Sequence, residues 1–279
     1  MLLSLRDELR VVLCRDQVQL VRIGRELTLQ GSRCRILNKE VFPCAADADP
    51  LWGNVVNALE AALAELPKKP VVAKVVLSNC FVRYAIVPWN ERLSSETEEV
   101  AYARHCFSQL YGDTAGSWEL RLSQDFAGGP QFASAVDGQL LQTLRALFSR
   151  AGVKLKSVQP YLMAAFNNSY AGLQKQDGWF VLYENGSLCL GLVRQGHWSS
   201  VRTLKVGSDW MGRLPEMLDR EVYLSELDML SDEIFLWAPE HGEGDFPKDL
   251  RWKLHKLQPV IRPDFAPEYD ERFAMAMSE

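Results

Sequence analysis

The chain has 279 residues, 47% of them hydrophobic and 24% charged, with 18 glycines and 13 prolines. That composition can bury the core of one large or two modest domains and excludes a disordered or collagen-like chain. Thirty-one Lys and Arg stand against 36 Asp and Glu, a net charge of -5, the opposite of the basic footprint of a nucleic-acid binder. Six cysteines (Cys14, Cys34, Cys44, Cys80, Cys106, Cys189) show no Cys-x-x-Cys spacing, and His105, His197, His241 and His255 form no metal-ligand pattern with them. Neither a metal site nor a disulfide framework is expected, and a reducing cytoplasm suits the thiols. The start turns charged at Arg6 and no uncharged apolar run is long enough to span a bilayer, so neither a secretion signal nor a membrane span is expected.

Residues 9–13 and 18–23 are β-rich runs around the tight turn Cys14-Arg15-Asp16-Gln17, and residues 33–41 supply a third strand. Asp49-Pro50 predicts the start of a helix that carries Leu51, Val55, Leu59, Leu63 and Leu66 at helical spacing. Residues 71–77 and 81–87 read as strands on either side of Ser78-Asn79-Cys80. Ser95-x-x-Glu98 is a capping box ahead of a helix with Val100, Ala103, Phe107 and Leu110 on one face. Strands follow at 118–122 and 132–136, flanking the turn-rich residues 127–130. Asp137 then caps a helix bearing Leu140, Leu141, Leu144, Leu147 and Phe148, which Gly152 ends. Residues 153–158 form a further strand, and Pro160 opens a helix through Leu162, Phe166, Tyr170 and Leu173.

From Gly178 the opening pattern returns about 170 residues on. Strands at 179–183, 188–193 and 197–206 precede Gly207-Ser208-Asp209, a helix with Trp210, Leu214, Met217, Leu218 and Val222, and a strand at 233–237. Meander, helix and strand therefore occur twice, the signature of a structural duplication. Beyond it, residues 240–245 and prolines 259, 263 and 267 predict an extended strap without a long helix.

This duplicated order resembles the ribonuclease-H-like core of the actin, Hsp70 and sugar-kinase superfamily. Residues 76–89 (Val-Leu-Ser-Asn-Cys-Phe-Val-Arg-Tyr-Ala-Ile-Val-Pro-Trp), 155–167 and 179–209 resemble PilM and GspL-type proteins of bacterial type IV pilus, MSHA-like pilus and type II secretion machines. The resemblance implies a duplicated α/β fold of the actin-like ATPase kind with an inserted α/β subdomain and an abbreviated second half. It divides the chain into a first subdomain (1–89), an insertion (90–155), a second subdomain (156–238) and a C-terminal tail (239–279).

In nucleotide-binding relatives the first turn is Asp-x-Gly-Thr or similar, its glycines letting backbone N–H groups approach phosphate. Here Cys14-Arg15-Asp16-Gln17 has no glycine and no hydroxyl. Glu184-Asn185-Gly186-Ser187 matches the second phosphate turn only in part, and Asn-Gly between apolar strands is also a strong hairpin signal. Gly207-Ser208-Asp209 keeps one glycine and adds a carboxylate, which repels an anion. Asp16, Glu184, Asn185, Gly186, Ser187, Gly207, Ser208 and Asp209 thus form an expected vestige of a nucleotide site, with no catalytic residue and no metal site. A small-molecule kinase would need a catalytic aspartate beside an intact phosphate loop, and none is evident.

The resemblance further implies a non-catalytic scaffold at the cytoplasmic face of the inner membrane, binding the cytoplasmic tail of a PilN-like bitopic protein beside the insertion. Asn79, Phe81, Arg83, Tyr84 and Trp89 are the expected contacts, since Tyr, Trp and Arg commonly anchor interfaces. Association with the membrane would run through that partner, and a homodimer is compatible with the family. The alternative is an ATP/Mg-dependent switch or slow ATPase that uses Glu184 and Asp209. Adjacent His105 and Cys106 diverge by about 100° on a helix and cannot pair as base and nucleophile. Glu96, Glu98 and Glu99 read as a solvated first turn. Arg251, Trp252, Lys253, His255 and Lys256 form a small basic patch that either is solvated surface or touches anionic lipid or a partner.

Overall fold

A computed structural model describes residues 7–28, 31–66, 71–123, 128–225, 231–241, 246–247 and 251–278. The expectations placed on residues 1–6, Ala127 and residues 242–245 lie outside these. Strands β1 (Asp7–Leu13), β2 (Gln17–Thr28) and β3 (Gly31–Pro43) form the expected meander. Helix α1 (Gly53–Ala64) begins later than Asp49-Pro50 predicts, because Pro50 sits in a preceding turn whose carbonyl accepts from the Gly53 N–H at 2.8 Å. Strand β4 (Val71–Leu77) returns parallel to β1 in matched register, Leu13 opposite Leu77.

Strand β5 (Val82–Val87), helix α2 (Glu96–Tyr111), strands β6 (Trp118–Leu122) and β7 (Gln131–Asp137) and helix α3 (Gly138–Arg150) come next. Ser95 caps α2, although the Glu98 carboxylate reaches back to the N–H and hydroxyl of Ser94 rather than to Ser95. Asp137 caps α3 through the Gln139 N–H at 2.8 Å, and Gly152 at φ +68° follows its end, as predicted. Strand β5 pairs with β7 and β7 with β6 in a separate antiparallel sheet. The insertion therefore takes in residues 82–87, which the sequence assigned to the first subdomain.

Strand β8 (Val153–Pro160) pairs parallel with β4, completing a sheet of order β3-β2-β1-β4-β8. In hydrogen-bonding terms it belongs wholly to the first domain, so the expected boundary at 155/156 cuts through a first-domain strand. Helix α4 (Tyr161–Leu173) leads across to β9 (Gly178–Glu184), β10 (Ser187–Arg194), β11 (His197–Lys205), helix α5 (Trp210–Ser225), β12 (Glu233–Trp237) and β13 (Lys253–Lys256). Their sheet has the order β11-β10-β9-β12-β13, the first sheet's order repeated. Tail residues 253–256 are thus a fifth strand, and the shortening of the second half falls on the helical connections: residues 238–252 join β12 to β13 with no helix among the described residues.

The central strands β1, β9 and β10 are buried along nearly their whole length, as expected of strands covered on both faces. Leu9, Leu13, Leu59, Leu144 and Phe148 are fully buried on the first sheet, and Trp210, Leu214 and Leu218 of α5 on the second. Each such side chain contributes roughly 1.5–3 kcal/mol by leaving water. The predicted face of α2 holds only in part: Ala103 and Phe107 are buried, whereas Leu110 is 63% exposed.

The tail does not float as a strap. It returns to the first domain, where Phe265, Phe273, Met275 and Met277, the last two in the short helix α6 (Ala274–Met277), are buried. Arg10 in β1 donates to the Ala276 and Ser278 carbonyls at 3.2 and 2.5 Å and lies over the Phe265 ring. The basic patch is neutralised: Arg251 faces Asp219 and Asp232, Lys253 and His255 meet Glu233, and Lys256 bonds the His241 carbonyl.

Candidate functional site

A cleft of about 1310 Å³ runs between the two domains and along the insertion. It is lined by the β1–β2 turn, by residues 78–80 at the end of β4, by the β9–β10 turn, by β11 and by tail residues Glu271, Arg272 and Met275. The C-terminal ends of β1, β4 and β9 open into it, the position where ligands sit in open α/β sheets.

Asn79 is the centre of the site. Its backbone N–H and side-chain amide donate to the same Glu184 carboxylate oxygen at 2.9 and 3.0 Å, joining the first domain to the second. Its Oδ1 accepts from the Tyr84 hydroxyl at 2.6 Å and from the Leu162 N–H at 3.1 Å. The latter satisfies one of the orphan donors at the N-terminus of α4. Tyr111 in turn donates to the Tyr84 carbonyl at 2.9 Å, tying α2 of the insertion to the same cluster.

Burial pushes the Glu184 carboxyl above its ordinary range, with Asp16 adding repulsion, while the bonds from Asn79 and Ser78 pull it down. Desolvation also drives up the thiols of Cys14 and Cys80, the latter to about 12. Neither supplies a thiolate at neutral pH.

The β1–β2 turn closes through the Cys14 N–H to the Gln17 carbonyl at 2.9 Å, and none of its residues has positive φ. It therefore lacks the alternating right- and left-handed backbone that makes an anion nest. Asp16 leans across to the Asn185 amide at 3.4 Å. Asn185 and Gly186 form a two-residue hairpin loop with positive φ only at Gly186 (+77°). The hairpin reading and the cleft reading of this turn both hold, since Glu184, just before it, faces Asn79. Gly207, Ser208 and Asp209 lie outside the cleft lining and are exposed, and Asp209 faces Arg213 at 3.8 Å.

The five expected partner contacts do not share one surface. Asn79, Arg83 and Tyr84 line the cleft. Arg83 donates to the Cys80 and Val82 carbonyls. Phe81 is buried in the core, and Trp89 is 45% exposed and away from the cleft. Asn79 and Phe81 lie in a short 3-10 turn, Arg83 and Tyr84 in β5 and Trp89 beyond that strand's end, so the stretch changes backbone direction along its length and does not form one patch. Sequence reasoning assigned Leu51 and Leu110 to apolar helix faces and passed over Tyr111; all three are exposed apolar side chains at the cleft. It also passed over the stack of Tyr183 on Trp210, with ring centroids 4.5 Å apart and His241 edge-on. The apolar spacing of Phe265, Phe273, Met275 and Met277 was the available signal for the docked tail.

Neither a protein-family model nor a curated protein sequence matches the chain. Solved structures do. The cytoplasmic domain of EpsL, an inner membrane component of the type II secretion system of Vibrio cholerae, aligns with a TM-score of 0.54 at 11% identity over 89% of each chain. The PilM-PilN type IV pilus biogenesis complex aligns with 0.54 at 16% identity, over 82% of this chain and 80% of that one. A Bacteroides thetaiotaomicron protein of actin-like ATPase fold and unknown function gives 0.53 at 8% identity, over 84% and 82%. The chain has the duplicated actin-like ATPase fold.

Proposed function

We propose that the chain is a non-catalytic scaffold of a type IV pilus or type II secretion assembly platform. It works in the cytoplasm at the inner membrane and binds the cytoplasmic tail of a bitopic membrane partner in the cleft. The observation that carries this reading is the crossing of the cleft by Glu184 onto Asn79. At the place where the fold would cradle phosphate stand a bonded carboxylate, a second carboxylate at Asp16 and a turn without glycine. Anion binding asks for the reverse: free N–H groups and positive potential. These residues do not fit ATP/Mg.

The partner reading draws support from the apolar rim. Leu51, Leu110 and Tyr111 line the same cleft as Arg83, the combination of aromatic, aliphatic and arginine groups that anchors interfaces. The alignments with the EpsL cytoplasmic domain and with the PilM-PilN complex point the same way. Among the described residues no helix is long and apolar enough to cross a membrane, so membrane attachment is assigned to the partner.

The test is titration of the full chain with synthetic cytoplasmic tails of candidate bitopic pilus and secretion proteins, alongside Leu110→Asp and Arg83→Ala. Saturable binding to one tail, weakened at least tenfold by Leu110→Asp, is the expected result. Binding that ignores both substitutions overturns placement in the cleft.

A further inference from the structure

Two sheet edges border the cleft, one from the insertion and one from the second domain. Strand β5 ends the order β5-β7-β6, and β11 ends the order β11-β10-β9-β12-β13. Residues 82–86 and 199–203 line the cleft without a gap in either run. A sheet face would present only alternate residues, so what each strand turns to the cleft is its edge.

The two edges differ in what covers them. On β5 the Tyr84 carbonyl accepts from the Tyr111 hydroxyl at 2.9 Å and the Val82 carbonyl from Arg83 at 3.0 Å, so side chains already hold its acceptors. On β11 the Val206 N–H bonds inward, to the Gly186 carbonyl at 3.0 Å. An antiparallel ladder alternates bonded with non-bonded pairs. Counting back from Val206, the residues Lys205, Thr203 and Val201, opposite Ser187, Cys189 and Gly191, therefore turn their N–H and C=O outward. Among the described residues no strand, loop or side chain bonds those groups. An edge left in that state is a template for another strand.

Charge selects the occupant. Lys205 is exposed and Arg83 half-buried, and neither has an ion pair among the described residues. Arg15 reaches only the exposed Asp47, at 3.7 Å. Of the cleft's carboxylates, Glu184 is spent on Asn79 and Asp16 leans on Asn185, while Glu240 and Glu271 follow β12 and belong to the tail. We propose that the partner segment bound in the cleft is acidic and adds to β11 as a sixth strand of the second sheet. Val201, Thr203 and Lys205 supply the main-chain bonds, Lys205 and Arg83 take carboxylates, and Leu110 and Tyr111 on the β5 side take an apolar side chain. This docking mode rests on the cleft reading given above.

The probe is a fluorescent peptide, Leu-Glu-Val-Thr-Val-Glu-Leu, titrated against the full chain by anisotropy. Saturable binding is expected, weakened at least tenfold when Lys replaces both Glu residues or when the peptide's backbone nitrogens are methylated. The amides of Val201, Thr203 and Lys205 should gain exchange protection on binding, and those of residues 153–160 should not. Thr203→Pro removes an outward N–H and spares the ladder to β10, as proline on an edge strand can, and should cost at least tenfold. Lys205→Glu, at an exposed side chain, should weaken the acidic peptide and strengthen the Lys-bearing one while the melting curve stays in place. Absence of binding, equal binding of the methylated peptide, or protection confined to other strands overturns strand addition. If a candidate partner tail binds, is weakened by Leu110→Asp and leaves residues 201–205 unprotected, the cleft reading stands and addition to β11 falls.

Discussion

The Glu184 carboxylate at the end of β9 accepts two hydrogen bonds from a single residue of the other domain, Asn79, through its backbone N–H at 2.9 Å and its amide at 3.0 Å. The cleft of this actin-like ATPase fold is crossed by a side chain of the chain's own. The bond also reaches the insertion, because Asn79 holds Tyr84 and Tyr111 donates to the Tyr84 carbonyl.

Glu184→Gln tests the electrostatics of that link. A carboxyl raised above its ordinary 4.5 by burial binds more protons folded than unfolded, so it lowers stability as pH rises above 4.5 and gives that stability back as pH falls. Glutamine keeps an acceptor for the Asn79 N–H and carries no charge. The variant should be at least as stable as the parent at pH 7–8 and should show a flatter fall of stability between pH 4.5 and 8, read by urea unfolding at each pH.

Asn79→Ala removes both the amide donor to Glu184 and the acceptor for Leu162 and Tyr84. Loss of a helix cap and of bonds to a buried carboxylate together cost about 2–4 kcal/mol. Urea unfolding should show this as a lower midpoint. Exchange should rise both at the start of α4 and in the β9–β10 turn, two places far apart in sequence that a local defect would not couple.

Gly191 in β10 is needed for a close approach: a Cβ there would lie 2.0 Å from the Trp198 ring. That ring meets Phe166 of α4 at 4.5 Å and Phe132 of β7 at 5.1 Å, so first domain, insertion and second domain pack on one indole. Gly191→Ala should cost at least about 2 kcal/mol by overpacking, and Trp198→Leu in the same chain should restore part of it. Calorimetric melting of the single and double variants decides the matter.

The Arg10 contacts make the tail part of the first domain. Glu8, beside Arg10 and Lys74, is held down to about 2 by those cations against its burial, so its contribution to stability is present above pH 4.5 and is lost as pH falls toward 2. Arg10→Met should release residues 263–278, seen as faster exchange and early proteolysis there. It should also shift acid unfolding upward in pH, since Glu8 then keeps only Lys74 and Arg25.

Much of this architecture was legible in the residues. The alternation of apolar runs, the capping residues Ser95 and Asp137 and the C′ glycine Gly152 act locally, and each formed its element where expected. The duplication was legible because the same local order occurs twice. What escaped depended on partners far apart in sequence. Residues 253–256 carry no strong strand signal and become a strand only by pairing with β12. Strand β5 looks like a continuation of the first sheet until β7, over 40 residues later, claims it. The site divided along the same line: Asp16, Glu184 and Asn185 were marked and do meet, while Asn79 was marked for a partner and serves the bond across the cleft. Trp89 and Asp209 were marked by type and neighbourhood and lie outside the cleft lining, Trp89 past the end of β5 and Asp209 just before α5.

The most direct measurement is thermal unfolding of the purified chain across a titration of Mg-ATP up to millimolar concentrations. A ligand at 100 times its Kd adds about 2.7 kcal/mol to the folded state, a displacement of several degrees. On the proposed reading, in which Glu184 and Asp16 occupy the phosphate position and no glycine opens the β1–β2 turn, the melting temperature should not move. A shift that grows with Mg-ATP, and that is lost in Asp16→Ala, would contradict the account and make the cleft a working nucleotide site.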